Sequence, residues 1–341
     1  MYRKVSRLPP VSYYRKMIVG RRLLAVSAIG AAAAAATLRA TNSPSTPARS
    51  ISLTSSSRSH LLPTTVLVHG LDSSKETFSG TLARLVIDNY PCISLDLRGH
   101  GESPFGEVSD FSAPALAADV LEAIKAHGIT RAVLVGHSMG GRIAMRAAAL
   151  DAASSEPVLR AVVIEDMDLI ERYAPSKTVE DRAALERFAS PGGRRFASWE
   201  EARAALLPWY DRDEERINSW RNTRVRLIPG GTEVHSDINP AAQRLARERV
   251  LASSDGSQAW DELAAHGDSL PFALHVLYAD KGERGTVVQI EGRGGINDMK
   301  ARCPAAQFTF FPGAGHSIHR TDQVAFDKQL REIIKTAAQR D

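Results

Sequence analysis

The sequence predicts an α/β fold: a mostly parallel, eight-stranded sheet with helices on both faces and a helical cap inserted late in the chain. Three observations predict it. Short apolar runs alternate with helix-length amphipathic segments at βαβ spacing from about Thr64 onward. One run, Val133 to Val135, leads into Gly136-His137-Ser138-Met139-Gly140, and a helix-compatible run from Arg142 to Leu150 follows, so the chain reads as strand, tight turn and helix. The stretch 169–270 then breaks the alternation before it resumes near Leu274, and a stretch that long is not a plain loop in a compact domain.

Residues 1–60 precede this body and differ from it. Of the 43 Lys and Arg, ten lie within residues 1–71, which hold no acid, leaving 33 basic against 39 acidic residues in the remainder. The formal charge of +4 is therefore a property of the tail, and the acidic body gives no support for nucleic-acid binding. Basic, Ser-rich and acid-free, the tail has the composition of an organelle transit peptide, which implies a mitochondrial destination first and a plastid second. The apolar run Leu23 to Leu38 leaves a secretory signal or membrane anchor as the alternative, with residues 17–40 contacting a membrane if they are not cleaved. Cys92 and Cys303 are too few for a disulfide framework. Nothing in the sequence sets an oligomeric state.

The first strand, Val66 to His69, closes on Gly70, and a loop from Leu71 to Ser74 leads to a helix from about Thr77 to Asn89. The serine of a strand-turn-helix elbow sits in a cramped backbone, so its neighbours two before and two after must be small; Gly136 and Gly140 are. The turn lifts the Ser138 hydroxyl clear of the sheet beside the first N–H groups of the following helix. Gly70 allows the next residue to aim its N–H at the same point, which makes Leu71 and Met139 the backbone donors for an oxyanion. The strand Pro91 to Leu95 follows, then the loop Asp96-Leu97-Arg98-Gly99-His100-Gly101-Glu102-Ser103, whose Arg98 and His100 read as structural, and a helix from about Pro114 to His127.

The combination of His69-Gly70, this D-x-R-G-H-G-x-S loop and G-H-S-M-G-G, in that order, resembles the α/β-hydrolase superfamily from about Val66 to the end, with the flavour of its ABHD11-like and YbfF-like esterases. The resemblance implies an α/β-hydrolase fold over 61–168 and 271–341, with the cap at 169–270. It also implies a serine hydrolase that cleaves a carboxylic ester or thioester of a small molecule through an acyl-enzyme, with Ser138 as nucleophile and a backbone oxyanion hole. No metal or organic cofactor is implied, and no His/Cys cluster has ligand spacing. The same Ser and His would serve a carbon-carbon bond hydrolase or a cofactor-free peroxidase, and a non-catalytic ligand-binding member is the reading from another class.

Beyond Ser138, the strand Arg160 to Ile164 ends in Glu165-Asp166-Met167-Asp168, and the cap stretch carries all four tryptophans, Trp199, Trp209, Trp220 and Trp260. They read either as walls of an acyl pocket or as the glue of the cap's own core. The strand Leu274 to Tyr278 precedes Asp280, and the strand Gln307 to Phe311 precedes Gly315-His316-Ser317-Ile318-His319. The resemblance places the general base at His316, with His319 as the fallback. The triad's acid stays open between two strand ends. The family's usual site points to Asp280, although the common pattern puts the acid several residues past the strand, where this chain has Arg284; some relatives instead carry it where this chain has Glu165 and Asp166.

Overall fold

The computed structural model describes residues 62–71, 73–171, 195–207, 214, 217–218, 225–228, 231–234, 240–281 and 292–340. The tail 1–60, where the sequence suggests a targeting segment, and Trp209, Trp220 and Arg284 lie outside the described residues. Among the described residues no helix is long and apolar enough to cross a membrane.

The strands of the main sheet are β1 (Thr64–Val68), β2 (Cys92–Leu95), β3 (Ala132–His137), β4 (Leu159–Glu165), β8 (Ala273–Ala279) and β9 (Gln307–Phe311). They lie in the order β2-β1-β3-β4-β8-β9, and every pairing is parallel. Six strands are thus described where the sequence suggests eight. Parallel strands must be covered on both faces, which is why β3 and β4 read as near-continuous Val, Leu and Ile. Alternate residues go to opposite sides. Leu67, Val133, Val135 and Val163 face the layer of α1 (Ser79–Ile87) and α9 (Gln323–Ala338). Val66, Leu134, Val162 and Ile164 face α2 (Ala113–Ala126) and α3 (Met139–Ala152). Helix α2 begins where the sequence expects, with the Ser112 hydroxyl accepting the Ala115 N–H and Pro114 in the first turn.

From β1 the chain runs outward to β2, then returns past β1 to β3 and continues outward on the other side. The carboxyl ends of β1 and β3 therefore flank the point where the strand order reverses, the place at which open α/β sheets leave a crevice. His69-Gly70 and Ser138 both lie there.

The stretch read as a helical cap differs in part. It contains α4 (Trp199–Leu206), α5 (Pro240–Ala246) and α6 (Asp255–Ala265), but also a small antiparallel sheet of β5 (Arg195–Phe196), β7 (Gly231–Val234) and β6 (Val225–Ile228). Its last helix, α6, packs on α3 with the body of the protein. Trp199 is buried with Ala202, Leu206 and Ile217, and Trp260 is buried in the main core with its indole N–H on the Met299 carbonyl, so both serve packing. The two cysteines are free thiols, and burial pushes Cys92 up to about 11.

Candidate active site

Ser138 occupies the turn between β3 and α3 with φ 54° and ψ −122°, one of three described non-glycine residues at positive φ. Such a conformation costs on the order of 1–3 kcal/mol and persists only where the surroundings impose it. The surroundings here are backbone. A Cβ at Gly136 would stand 2.2 Å from the Gly140 carbonyl oxygen, and one at Gly140 would stand 2.5 Å from those of Val68 and His69. The Ser138 N–H donates to the Glu165 carbonyl at 3.0 Å, and the Ser138 carbonyl accepts the Gly141 N–H at 2.7 Å. Met139 opens α3, where the first N–H groups have no intrahelical acceptor.

The loop after β1 is held by two histidines. The Leu97 N–H donates to His69 Nε2 at 3.0 Å, which leaves the ring proton on Nδ1, and Nδ1–H donates to the Gly70 carbonyl at 2.7 Å. Burial, with His100 beside it, pushes the His69 pKa down to about 3, so the ring is neutral. The Gly70–Leu71 peptide is trans, and fixing its carbonyl on His69 turns the Leu71 N–H to the opposite side. His100 bridges the carbonyls of Arg98 and Leu71, and Arg98 pairs with Asp119, so both loop residues are structural as the sequence suggests.

His316 follows β9, and its ring keeps 19% of its surface exposed while Asp166 keeps none. Nδ1 donates to Asp166 Oδ2 at 2.7 Å, leaving Nε2 as the acceptor nitrogen. Asp166 is itself strained, at φ 46°. It is bolted to the next strand at two points: its N–H donates to the Leu277 carbonyl at 2.8 Å, and its Oδ1 accepts the Ala279 N–H at 3.1 Å. The His316 carbonyl receives His137 Nε2–H at 3.2 Å, so the residue beside the serine also holds the backbone of the base loop.

Two other candidates from the sequence lie elsewhere. Asp280 does not reach His316; its Oδ1 accepts the Gly313 N–H at 2.7 Å and fixes the start of the base loop. Glu165 faces the α1/α9 side of the sheet with Val163, because strand residues alternate, and its carboxylate accepts the His319 N–H at 2.9 Å and Nδ1–H at 2.8 Å. His319 is 1% exposed, with Nε2 against Thr77 Oγ1 at 3.2 Å, so both its ring nitrogens are engaged and it is no substitute for His316. The Glu165–His319 pair and the role of His137 went unread in the sequence. The signal available was an acid at the end of a strand that must neighbour His137.

Among the described residues one group, His137, Glu165 and His319, has potential metal ligand atoms within 4.8 Å of one another. Glu165 and His319 already bond to each other, and the other nitrogen of His137, Nδ1, has no hydrogen-bond partner. Burial lowers the His137 pKa well below its ordinary value.

The profile of the Alpha/beta hydrolase family matches residues 65–328. Over 100 residues the chain is 39% identical to the Esterase YbfF of Escherichia coli K12, and over 88 residues 42% identical to the sn-1-specific diacylglycerol lipase ABHD11 of Xenopus laevis. These matches cover 29% and 25% of this chain and only 37% and 27% of the relatives' own lengths. Among solved structures, E-2-(acetamidomethylene)succinate hydrolase superposes with a TM-score of 0.61 at 23% identity, covering 80% of this chain and 91% of that one. The thioesterase domain from the curacin biosynthetic pathway gives 0.59 at 18%, over 80% and 91%. At these identities the solved structures speak to the fold. With a profile match that runs from β1 into α9 and the same path through space over four-fifths of the chain, this protein belongs to the alpha/beta hydrolase family.

Proposed function

We propose that the protein is a serine hydrolase that cleaves a carboxylic ester or thioester of a small molecule through an acyl-enzyme. The observation that carries the reading is the 2.7 Å contact of His316 Nδ1 with the buried Asp166, made at the carboxyl end of the strand next to the one that ends in Ser138. It fixes the tautomer that leaves Nε2 able to accept a proton. In the first step the Ser138 oxygen bonds to the acyl carbon while its proton passes to His316 Nε2. The Leu71 and Met139 N–H groups take the developing oxyanion, and the proton goes on to the alcohol or thiol as the scissile bond breaks. Water reverses the sequence and frees the acid. Asp166 orients His316 and stabilises its charged form. The names of the esterase and lipase relatives agree with this chemistry.

A fluorophosphonate probe tests the class. The wild-type chain is expected to label at Ser138 and Ser138→Ala not to label; a folded wild type that never labels would make the protein a ligand-binding member of the family. A panel of esters and thioesters of graded acyl length then tests the substrate class. For residues 1–60 we propose a cleaved organelle-targeting role, mitochondrial in the first instance. Amino-terminal sequencing of the mature protein checks it, and a retained Met1 would exclude cleavage.

A further inference from the structure

The strand that leads to His316 is not a neighbour of the strand that ends before Ser138. In the order β3-β4-β8-β9, with strands about 4.8 Å apart, roughly 14 Å of sheet separates the two. β3 pairs with β1 and β4, and β9 with β8, so no ladder bond sets one relative to the other. Side chains close that gap. Asp166, just past the end of β4, holds the His316 ring through Nδ1. His137, the last residue of β3, holds the His316 main chain. Strand alternation sends His137 to the α1/α9 side with Val133 and Val135, and the base loop passes over that side, with Ala314 and Ile318 buried in the same apolar layer. The His137 ring, 7% exposed, therefore lies against the loop, its centroid 4.9 Å from that of His316 and 5.0 Å from that of His319. Its Nε2 stands 3.2 Å from the His316 carbonyl oxygen. A carbonyl only accepts, so Nε2 carries a proton whatever the charge of the ring. Nδ1 has no hydrogen-bond partner and lies against Gly70, where a Cβ would stand 3.1 Å from it and 3.1 Å from the Ser138 Cβ. A phenyl ring would fill this space without burying an unpaired nitrogen, so packing alone does not call for histidine.

We propose, on the reading that Ser138 and His316 carry out acyl transfer, that His137 is a positioning residue: its Nε2–H holds the main chain of the base at a fixed place relative to the nucleophile, the next residue in sequence. Asp166 sets how the imidazole is turned, and His137 sets where it starts from. The loop around His316 is stiff enough for one bond to place it. The Thr321 hydroxyl accepts the Gly315 N–H at 2.9 Å and donates to the Ser317 carbonyl at 3.0 Å, bracketing His316 on both sides. The bracketed turn moves as one piece, and the His316 carbonyl is its handle. Proton transfer from the Ser138 oxygen to His316 Nε2 needs the two atoms at hydrogen-bond distance, and a drift of about 1 Å can cost about hundredfold. Since His137 and Ser138 share a peptide bond, a shift of the strand end carries nucleophile and base together.

The experiment measures p-nitrophenyl acetate hydrolysis and the rate of fluorophosphonate labelling for the full chain and two variants, with urea unfolding recorded for each. His137→Phe keeps a ring and removes the donor; His137→Gln removes the ring and keeps an N–H donor near the place of Nε2. His137→Phe is expected to lower kcat about ten- to hundredfold with KM within about twofold, and to slow labelling by a similar factor. His137→Gln is expected to return kcat to within about fivefold of wild type. A folded His137→Phe with wild-type kcat, or one that changes KM alone, overturns the proposal. So does a His137→Gln that does not fold or is no faster than His137→Phe, since ring packing would then be what matters. If His137→Phe does not fold, the smaller and equally donor-free His137→Leu takes its place under the same expectation, and failure of both to fold overturns the proposal by making the residue structural. Failure of the parent reading looks different: wild type itself would neither label nor turn over ester.

Discussion

Asp166 and Asp280 are both strand-end carboxylates, yet only one of them meets an imidazole. Asp166→Asn keeps the shape but no longer favours the Nδ1–H tautomer of His316, and a loss of about 10³ to 10⁴ in kcat is expected from steady-state kinetics. Asp280→Asn keeps an oxygen for the Gly313 N–H and is expected to lose less than about tenfold. A second expectation concerns Gly136. Its would-be Cβ meets backbone at 2.2 Å, so Gly136→Ala should lower the urea midpoint by more than an ordinary surface change and abolish probe labelling, since the elbow has to open to admit the methyl. The strand-end turns that carry Ser138 and His316 were legible in the sequence because each sits among glycines, a local signal. The acid was not. Glu165, Asp166 and Asp280 look alike locally, and the choice among them depends on β4 lying beside β3, on the alternation that sends Glu165 to the other face, and on a positive φ at Asp166 that no sequence pattern announces.

The elements divide the same way. The main-sheet strands were readable because burial on both faces forces continuous Val, Leu and Ile, whereas β5, β6 and β7 run two to four residues each, too short for a periodic pattern to separate them from loop. The start of the inserted stretch is tied to the nucleophile helix by a buried pair. Arg142, on α3 four residues past the serine, bonds Asp168 at 3.2 Å and the Ile170 carbonyl, and Asp168 also accepts the Ile170 N–H at 2.8 Å. Gly256 of α6 leaves room for the guanidinium; a Cβ there would stand 2.5 Å from it. Removing one partner strands the other charge, so Arg142→Met is expected to cost about 3–5 kcal/mol in urea unfolding. Arg142→Met/Asp168→Leu is expected to recover most of that loss.

At the scale of the molecule, several imidazoles are buried in neutral form. His275, in β8 next to the border strand β9, has no hydrogen-bond partner at either ring nitrogen, and burial, reinforced by Arg340, pushes it down to about 4. His69 is pushed down to about 3. The unfolded chain takes up protons on these rings from about pH 6.5 downward, and the folded chain does so only near those lower values. Acidification between them therefore favours unfolding. From His275 alone up to about 3 kcal/mol of the stability present above pH 7 is lost by pH 4, and His275→Leu should flatten the pH dependence of the urea midpoint over that range. The strand order carries one more consequence. His316 hangs from β9, a border strand of the described sheet with its outward residues wetted, and it reaches across β8 to Asp166, while Ser138 follows the deeply covered β3. Warming should peel away this border first, so the protein is expected to fall silent toward the probe a few degrees before its circular dichroism collapses, and to regain its reactivity on prompt cooling.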